Sequence, residues 1–140
     1  MGEQKEKKTP NLEKVREIYS RDRFATETTG AVIEAVEDGY CRCTLMIDHR
    51  HDNAFGKVQG GAIYTLGDLA LGIAMSGEDL SYVGLQTSIQ YIHIAKGTQL
   101  IAEARIDKKG HKMAFVTVDV TDDLGTLVAK MSAVGYRVVE

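Results

Sequence analysis

Two glycines and one aspartate stand out between residues 58 and 77, a segment that is otherwise apolar or small. Gly60 and Gly61 lie near its start, and Asp68 is its only formally charged residue. If this segment is a helix, its first amide N–H groups lack intrahelical partners and lie at the positive end of the helix dipole. Glycine there lets a carbonyl oxygen approach the backbone. The two glycines are therefore candidates for binding an oxyanion.

Asp68 is the candidate for proton transfer or nucleophilic attack. Burial of a carboxylate in an apolar helix raises its pKa, and proteins rarely retain one there without a partner or a function. Asp68 could activate a water molecule as a general base, or attack a carbonyl carbon itself. The structural alternative is a hydrogen bond to a neighbouring polar group such as Thr65.

The spacing of these residues predicts a site shared between two chains. Gly60 and Asp68 would lie about 12 Å apart along a helix that rises ~1.5 Å per residue, too far to reach one reacting carbon. Two such helices, antiparallel across a two-fold axis, would bring Asp68 of one chain near Gly60 of the other. The sequence therefore predicts a homodimer as the minimal unit.

Hydrophobic periodicity predicts the elements that position these residues. An amphipathic helix is expected over residues 11–22, a long and nearly all-apolar central helix over 59–77, and a hairpin between them. The predicted strands span residues 30–37, 40–48, 81–94, 98–107, 112–122 and 126–139. The fold class is α+β: a curved antiparallel sheet of about six strands around a buried central helix.

Composition limits the alternatives. The 140 residues, 44% of them hydrophobic, are enough for one domain, predicted over residues 11–140 behind a disordered tail of residues 1–10. A net charge of −3 with dispersed basic residues argues against nucleic acid, and glycines around Asp68 argue against a membrane span. With no apolar leader, a cytoplasmic location is expected.

Cys41 and Cys43 are two residues apart, which places both thiols on one face of a strand. We expect them to be unpaired. The cluster "DHRHD", residues 48–52, is interpreted as a solvated polar loop rather than a set of metal ligands, so no metal site is predicted.

The stretch "HDNAFGKVQGGAIYTLGDLA", residues 51–70, resembles the H-x-N-x-x-G-x-x-H-G-G-x-x-x-x-L-x-D motif of hotdog-fold acyl-CoA thioesterases of the phenylacetic-acid-degradation (PaaI) type. The resemblance extends over residues 11–138. It implies hydrolysis of acyl-CoA to free acid and coenzyme A, with a helix N-terminus as oxyanion hole. It also implies dimers paired into tetramers, and no cofactor beyond the coenzyme A of the substrate.

The resemblance adds Asn53 and Gln59 to Gly60 and Asp68 as catalytic residues. Asn53 would bond the carbonyl or the water, although an Asx turn is the alternative. Gln59 stands where the family has His; it can donate an amide hydrogen bond but cannot titrate near neutral pH. Gly84 occupies a position where some relatives carry Ser. A non-hydrolytic acyl-CoA binding or sensing module is therefore the alternative function.

The remaining candidates are substrate-binding residues. His51 matches the family's loop histidine, but a solvated loop residue is the favoured interpretation. Lys109, His111 and Lys112 form a basic turn that would meet the phosphates of coenzyme A, or else carry exposed charge. The acyl pocket is expected between two subunits, and its predicted residues are Tyr64, Leu69, Ile73 and Tyr82. Gly61 and Thr87 are further substrate-binding candidates.

Overall fold

The structure, a computed structural model, describes residues 9–139. Two α-helices, α1 and α2, and six strands, β1 to β6, follow one another in the predicted order. They are α1 Leu12–Tyr19, β1 Val32–Glu37, β2 Tyr40–Met46, α2 Gly60–Ser76, β3 Tyr82–Tyr91, β4 Gln99–Lys109, β5 Met113–Asp122 and β6 Leu127–Arg137. Residues 1–8 of the predicted tail lie outside the described residues.

The six strands form one antiparallel sheet in the order β1-β2-β4-β5-β6-β3. Alternation along β5 buries one face of the sheet against α2, through Ala114, Val116, Val118 and Val120. This period of two is what a sheet with one covered face requires. A long helix packed on a six-stranded antiparallel sheet is the predicted hotdog architecture.

The central helix α2 is buried on only part of its circumference. Its core side contains Leu66, Ala70 and Ile73, whereas Asp68 is exposed. At Gly67 an added Cβ would clash with the sulfur of the buried Met131, so a side chain there would require Met131 to move. The prediction of burial on most sides is confirmed for the single chain, because ten of the 17 residues of α2 are buried.

Two short helical segments were not predicted. Residues Phe24–Thr29 form a π-helix between α1 and β1, and His49–His51 form a 3-10 turn before α2. Strand β4 also runs two residues further than expected and includes Lys109. The prediction of two free thiols on one strand face is confirmed, because Cys41 and Cys43 are buried with their sulfurs 3.6 Å apart.

Within residues 9–139, no helix has the length and hydropathy needed to cross a membrane. No group of three or more His, Cys, Asp or Glu side chains in that part of the chain is arranged to hold a metal ion.

Candidate active site

A cavity of about 370 Å³ opens at the start of α2. Gly60 lines it, and among the described residues no acceptor is hydrogen-bonded to the Gly60 N–H. The other lining residues are Asn53, Phe55, Lys57, Val58, Ile63, Tyr91, Ile92, His93, Ile94 and Ala95. A free helix N-terminal amide beside a mostly apolar cavity is a suitable place for a polarised carbonyl oxygen.

Gln59 is the N-cap of α2. Its Oε1 accepts a hydrogen bond from the Gly61 N–H, which satisfies one of the unpaired amides of the first turn. An added Cβ at Gly61 would lie only 2.6 Å from this oxygen. The structure therefore gives Gly61 a capping contact instead of the predicted substrate contact, and it leaves the Gly60 N–H and the Gln59 Nε2 amide as available donors.

Tyr91, at the end of β3, lies across the helix start. Its hydroxyl donates to the Gly60 carbonyl oxygen at 3.1 Å. Its ring and hydroxyl would be 3.0 Å from a Cβ at Gly60. Sequence analysis missed this residue because the contact spans 31 positions; the only local signal was an aromatic residue at a strand end.

Asn53 forms the predicted alternative, an Asx turn. Its Oδ1 accepts from the backbone N–H groups of Phe55 at 2.9 Å and Lys57 at 3.1 Å. The turn fixes the loop that forms one wall of the cavity. Since Oδ1 is used inside the loop, only the Nδ2 amide of Asn53 is left to meet a substrate.

His51 is buried, so the interpretation as a solvated loop residue was wrong. Its side chain is 3% exposed, its Nδ1 accepts from the Asp48 N–H, and its Nε2 lies 2.7 Å from the Thr29 carbonyl oxygen. A carbonyl only accepts, so Nε2 carries the proton and both ring nitrogens are used inside the chain. His51 therefore positions the loop before α2 and has no nitrogen left for a substrate.

Asp122 fixes the opposite wall of the cavity. Its carboxylate accepts four backbone hydrogen bonds, from the N–H groups of Lys96, Gly97, Leu124 and Thr126. Burial alone would raise the pKa of Asp122, but these amide donors hold it well below its usual range. The loop that follows β3 is thus tied to the β5–β6 turn, and sequence analysis did not find this anchor.

Asp68 lies two turns along α2 from Gly60, on the least buried stripe of the helix, which also contains the exposed Gly61 and the half-buried Thr65 and Gly72. The Thr65 hydroxyl donates to the Gly61 carbonyl oxygen at 2.7 Å, so the structural alternative of a Thr65–Asp68 bond is not present. Neighbouring atoms remove part of the hydration of the carboxyl. This desolvation raises the pKa of Asp68, and the negative charge of Asp22 raises it further.

The three basic residues predicted to bind the phosphates of coenzyme A do not line the cavity at Gly60. Lys109 donates to the Met75 carbonyl oxygen at 3.1 Å and lies over the Tyr82 ring, so it anchors the C-terminal end of α2. This contact and its position in β4 correct the prediction of a turn residue. His111 and Lys112 line a different cavity of about 590 Å³, and a single chain does not bring them together with Gly60.

The predicted acyl-pocket residues are divided. Leu69 and Ile73 are core residues, 3% and 2% exposed, so they cannot line an open pocket. Tyr64 and Tyr82 are half-buried against the core. Thr87, a further substrate-binding candidate, is half-buried on β3 opposite Ala133. One chain thus brings together Asn53, Gln59 and Gly60, but leaves Asp68 about 12 Å along the helix from Gly60 at ~1.5 Å per residue.

Comparison with known proteins identifies the family. Residues 18–136 match the family model described as "Domain of unknown function (DUF4442)". The chain belongs to this family. A relative of this chain from Archaeoglobus fulgidus, named "Putative esterase", is 29% identical over 135 residues, which are 96% of this chain and 88% of the relative. Human "Acyl-coenzyme A thioesterase 13" is 26% identical over 127 residues, 87% of this chain and 91% of the relative.

Solved structures confirm the hotdog fold of this DUF4442 protein. The Escherichia coli PaaI protein of the phenylacetic acid degradation operon superposes with a TM-score of 0.83 at 17% identity, covering 91% of this chain and 96% of that chain. A Streptococcus pneumoniae protein described as a hypothetical thioesterase with coenzyme A gives 0.79 at 24% identity, covering 87% and 98%. The resemblance to PaaI-type proteins inferred from residues 51–70 is thereby confirmed.

Proposed function

We propose that this protein hydrolyses acyl-CoA thioesters to a free acid and coenzyme A, at two equivalent sites of a homodimer. The observation that carries the proposal is the Gly60 N–H, which has no acceptor among the described residues, at a mostly apolar cavity, together with an exposed carboxylate, Asp68, on the same helix. The relatives named as esterase and acyl-CoA thioesterase support the same class of reaction.

The electrophile is held at the start of α2. The thioester oxygen accepts from the Gly60 N–H, and the Gln59 Nε2 amide supplies a second donor while its Oε1 keeps the Gly61 N–H. Asn53 lines the same cavity, and its Nδ2 amide is a further candidate donor. Such donors act on the charge that develops on the carbonyl oxygen, and removing one costs roughly 10²- to 10³-fold in kcat in well-studied hydrolases.

Dimerisation brings the carboxylate to this carbonyl. Strand β3 lies at the edge of the sheet and pairs only with β6 within the described part of the chain, and it exposes Val83 and Leu85. Such an edge readily pairs with another strand. Antiparallel pairing of two β3 edges would place the α2 stripes side by side, and the small residues Gly61 and Gly72 permit a close approach.

The reaction then uses residues of both subunits. Asp68 of one subunit takes a proton from water, which attacks the carbonyl carbon, or its carboxylate attacks directly and the resulting anhydride is hydrolysed. In both routes the negative charge forms on the oxygen beside Gly60. The carbon–sulfur bond then breaks, its electron pair leaves with sulfur, and coenzyme A departs as a thiol after protonation.

A second candidate is a binding module that holds acyl-CoA without hydrolysing it. One observation favours it: the Gln59 cap occupies the Gly61 N–H and so reduces the number of free amides at the helix start. Release of the free thiol from a panel of short, long and aromatic acyl-CoAs separates the two. We expect turnover of at least one class; tight binding of acyl-CoA without thiol release from any substrate would establish the binding module instead.

A further inference from the structure

The backbone that carries the proposed oxyanion donor is of the most flexible kind. Gly60 and Gly61 are consecutive and have no side chains, so their φ and ψ angles are less restricted than those of other residues. A donor stabilises the charge on a carbonyl oxygen most effectively when it is held in position before the reaction. The direction of the Gly60 N–H therefore depends on what holds the peptide groups on either side of it.

Four hydrogen bonds hold these two peptide groups. The Gln59 carbonyl oxygen, in the same peptide group as the Gly60 N–H, accepts from the Ala62 N–H at 3.0 Å, and the Gln59 N–H donates to the His51 carbonyl oxygen at 2.7 Å. The next peptide group, which joins Gly60 to Gly61, is held by two side chains. Gln59 Oε1 accepts from its N–H, and the Tyr91 hydroxyl donates to its carbonyl oxygen at 3.1 Å. Of these four bonds, the one from Tyr91 ties the helix start to the sheet.

Tyr91 is itself held in place by the sheet. It is the last residue of β3 and pairs with the buried Ala129 of β6. The next residue, Ile92, donates to the Val128 carbonyl oxygen at 2.8 Å, so the Tyr91 backbone is fixed against β6. The ring packs against Gly60, since a Cβ built there would lie 3.0 Å from the ring and from the hydroxyl. Ring packing and the hydroxyl bond together fix the Gly60–Gly61 peptide group relative to the sheet.

We propose that Tyr91 is a positioning residue for the oxyanion donor: its hydroxyl fixes the Gly60–Gly61 peptide group and thereby aims the Gly60 N–H at the thioester carbonyl oxygen. The inference rests on the proposed function, which places that oxygen at the Gly60 N–H. Tyr91 acts through the backbone and transfers no proton, because its hydroxyl proton is used in the bond to the Gly60 carbonyl oxygen.

Tyr91→Phe removes the hydroxyl and keeps the ring. A neutral hydrogen bond changes an equilibrium by about 2- to 10-fold, so we expect kcat to fall by this factor with the acyl-CoA of the panel that is hydrolysed fastest. KM for that substrate should change by less than about twofold, as for an interaction that acts only in the transition state, and so should the affinity for free coenzyme A. A higher KM and weaker coenzyme A binding at unchanged kcat would overturn the proposal, because Tyr91 would then bind the substrate directly.

A second measurement does not depend on the fraction of folded protein. Calorimetry gives the dissociation constants of two stable thioethers: S-(2-oxoheptyl)-CoA, which has a carbonyl group, and S-heptyl-CoA, which lacks it. The wild type should bind the ketone more tightly by about 2- to 10-fold, and Tyr91→Phe should reduce this preference by at least about twofold. An unchanged preference in Tyr91→Phe would overturn the proposal.

Tyr40→Phe is the matched control. The Tyr40 hydroxyl donates to Glu103 on the neighbouring strand β4, and Tyr40 does not line the cavity at Gly60, so its loss should leave kcat and the preference for the ketone unchanged. An equal loss in Tyr40→Phe would overturn the specific role of Tyr91.

Failure of the proposed function would look different. If the wild type hydrolyses no acyl-CoA, the preference for the ketone alone decides the role of Tyr91. A preference that is present in the wild type and reduced in Tyr91→Phe would support that role without catalysis. Equal binding of both analogues by the wild type would reject it.

Discussion

Asp68→Asn is expected to lower kcat by about 10²- to 10⁴-fold, the range typical of losing a general base. Asparagine has nearly the same shape, but it can neither take a proton from water nor attack the thioester as a carboxylate. The Asp68 side chain is exposed, and its carboxylate forms no hydrogen bond within the described residues, so the substitution should leave the free energy of unfolding nearly unchanged. Thiol release under single-turnover conditions measures the effect on the chemical step.

The control for this substitution is Asp38→Asn, which removes an exposed carboxylate from the β1–β2 turn and should keep full activity. A stable thioether analogue of the substrate should bind Asp68→Asn with an affinity within about threefold of wild type, since the donors at Gly60 remain. Turnover by Asp68→Asn at the wild-type rate would remove Asp68 from the mechanism.

The pH dependence of the wild type follows from the same carboxyl. Desolvation, with a smaller contribution from Asp22, raises the pKa of Asp68 above the ordinary 3.8. Both chemical routes need the ionised form. Activity should therefore be present at neutral pH and fall as the pH drops through the raised pKa, so that the acid limb of kcat has its midpoint above pH 3.8.

Gly60→Ala is expected to lower kcat/KM by about 10²- to 10³-fold, as for the loss of an oxyanion donor. The added methyl group would lie 3.0 Å from the Tyr91 ring and hydroxyl. Because the Tyr91 hydroxyl is bonded to the Gly60 carbonyl oxygen, we expect the helix start to shift with the ring by a few tenths of an ångström, which displaces the amide from the substrate carbonyl oxygen. Steady-state kinetics with hexanoyl-CoA measures the loss.

Measurements of the free energy of unfolding and of coenzyme A binding distinguish a loss of carbonyl binding in Gly60→Ala from a folding defect. Alanine has a higher helix propensity than glycine, by roughly 0.8–1.0 kcal/mol in a helix interior, which offsets part of the steric cost. Free coenzyme A has no thioester carbonyl, so its affinity should be nearly unchanged in Gly60→Ala. Wild-type kcat/KM in a folded Gly60→Ala protein would mean that the start of α2 does not bind the reacting carbonyl.

The elements of the fold could be predicted because each has a local signal. The glycine-rich apolar run gives α2, and alternation of apolar and polar residues gives β5 and its neighbours. Gly60 and Asp68 lie on one helix, as predicted. The π-helix Phe24–Thr29 had no such signal, because its i→i+5 bonding leaves no distinctive residue pattern.

The contacts that shape the site could not be predicted, because they join distant parts of the chain. Tyr91 reaches Gly60 from the end of β3, and Asp122 holds the loop that carries Lys96. The burial of His51 depends on the Thr29 carbonyl oxygen, 22 residues away. The exposure of Asp68 depends on which side of α2 faces the sheet, and an apolar helix gives no periodic indication of that side.

The most direct test of the shared site is a heterodimer of the two inactive variants. A dimer with one Asp68→Asn chain and one Gly60→Ala chain, isolated with two different affinity tags, contains one intact pair of Gly60 and Asp68 across the interface. Its other site carries both substitutions. We predict that it regains about half of the wild-type kcat per dimer, one site of two. A heterodimer as inactive as its two parent homodimers would contradict a site built from two subunits.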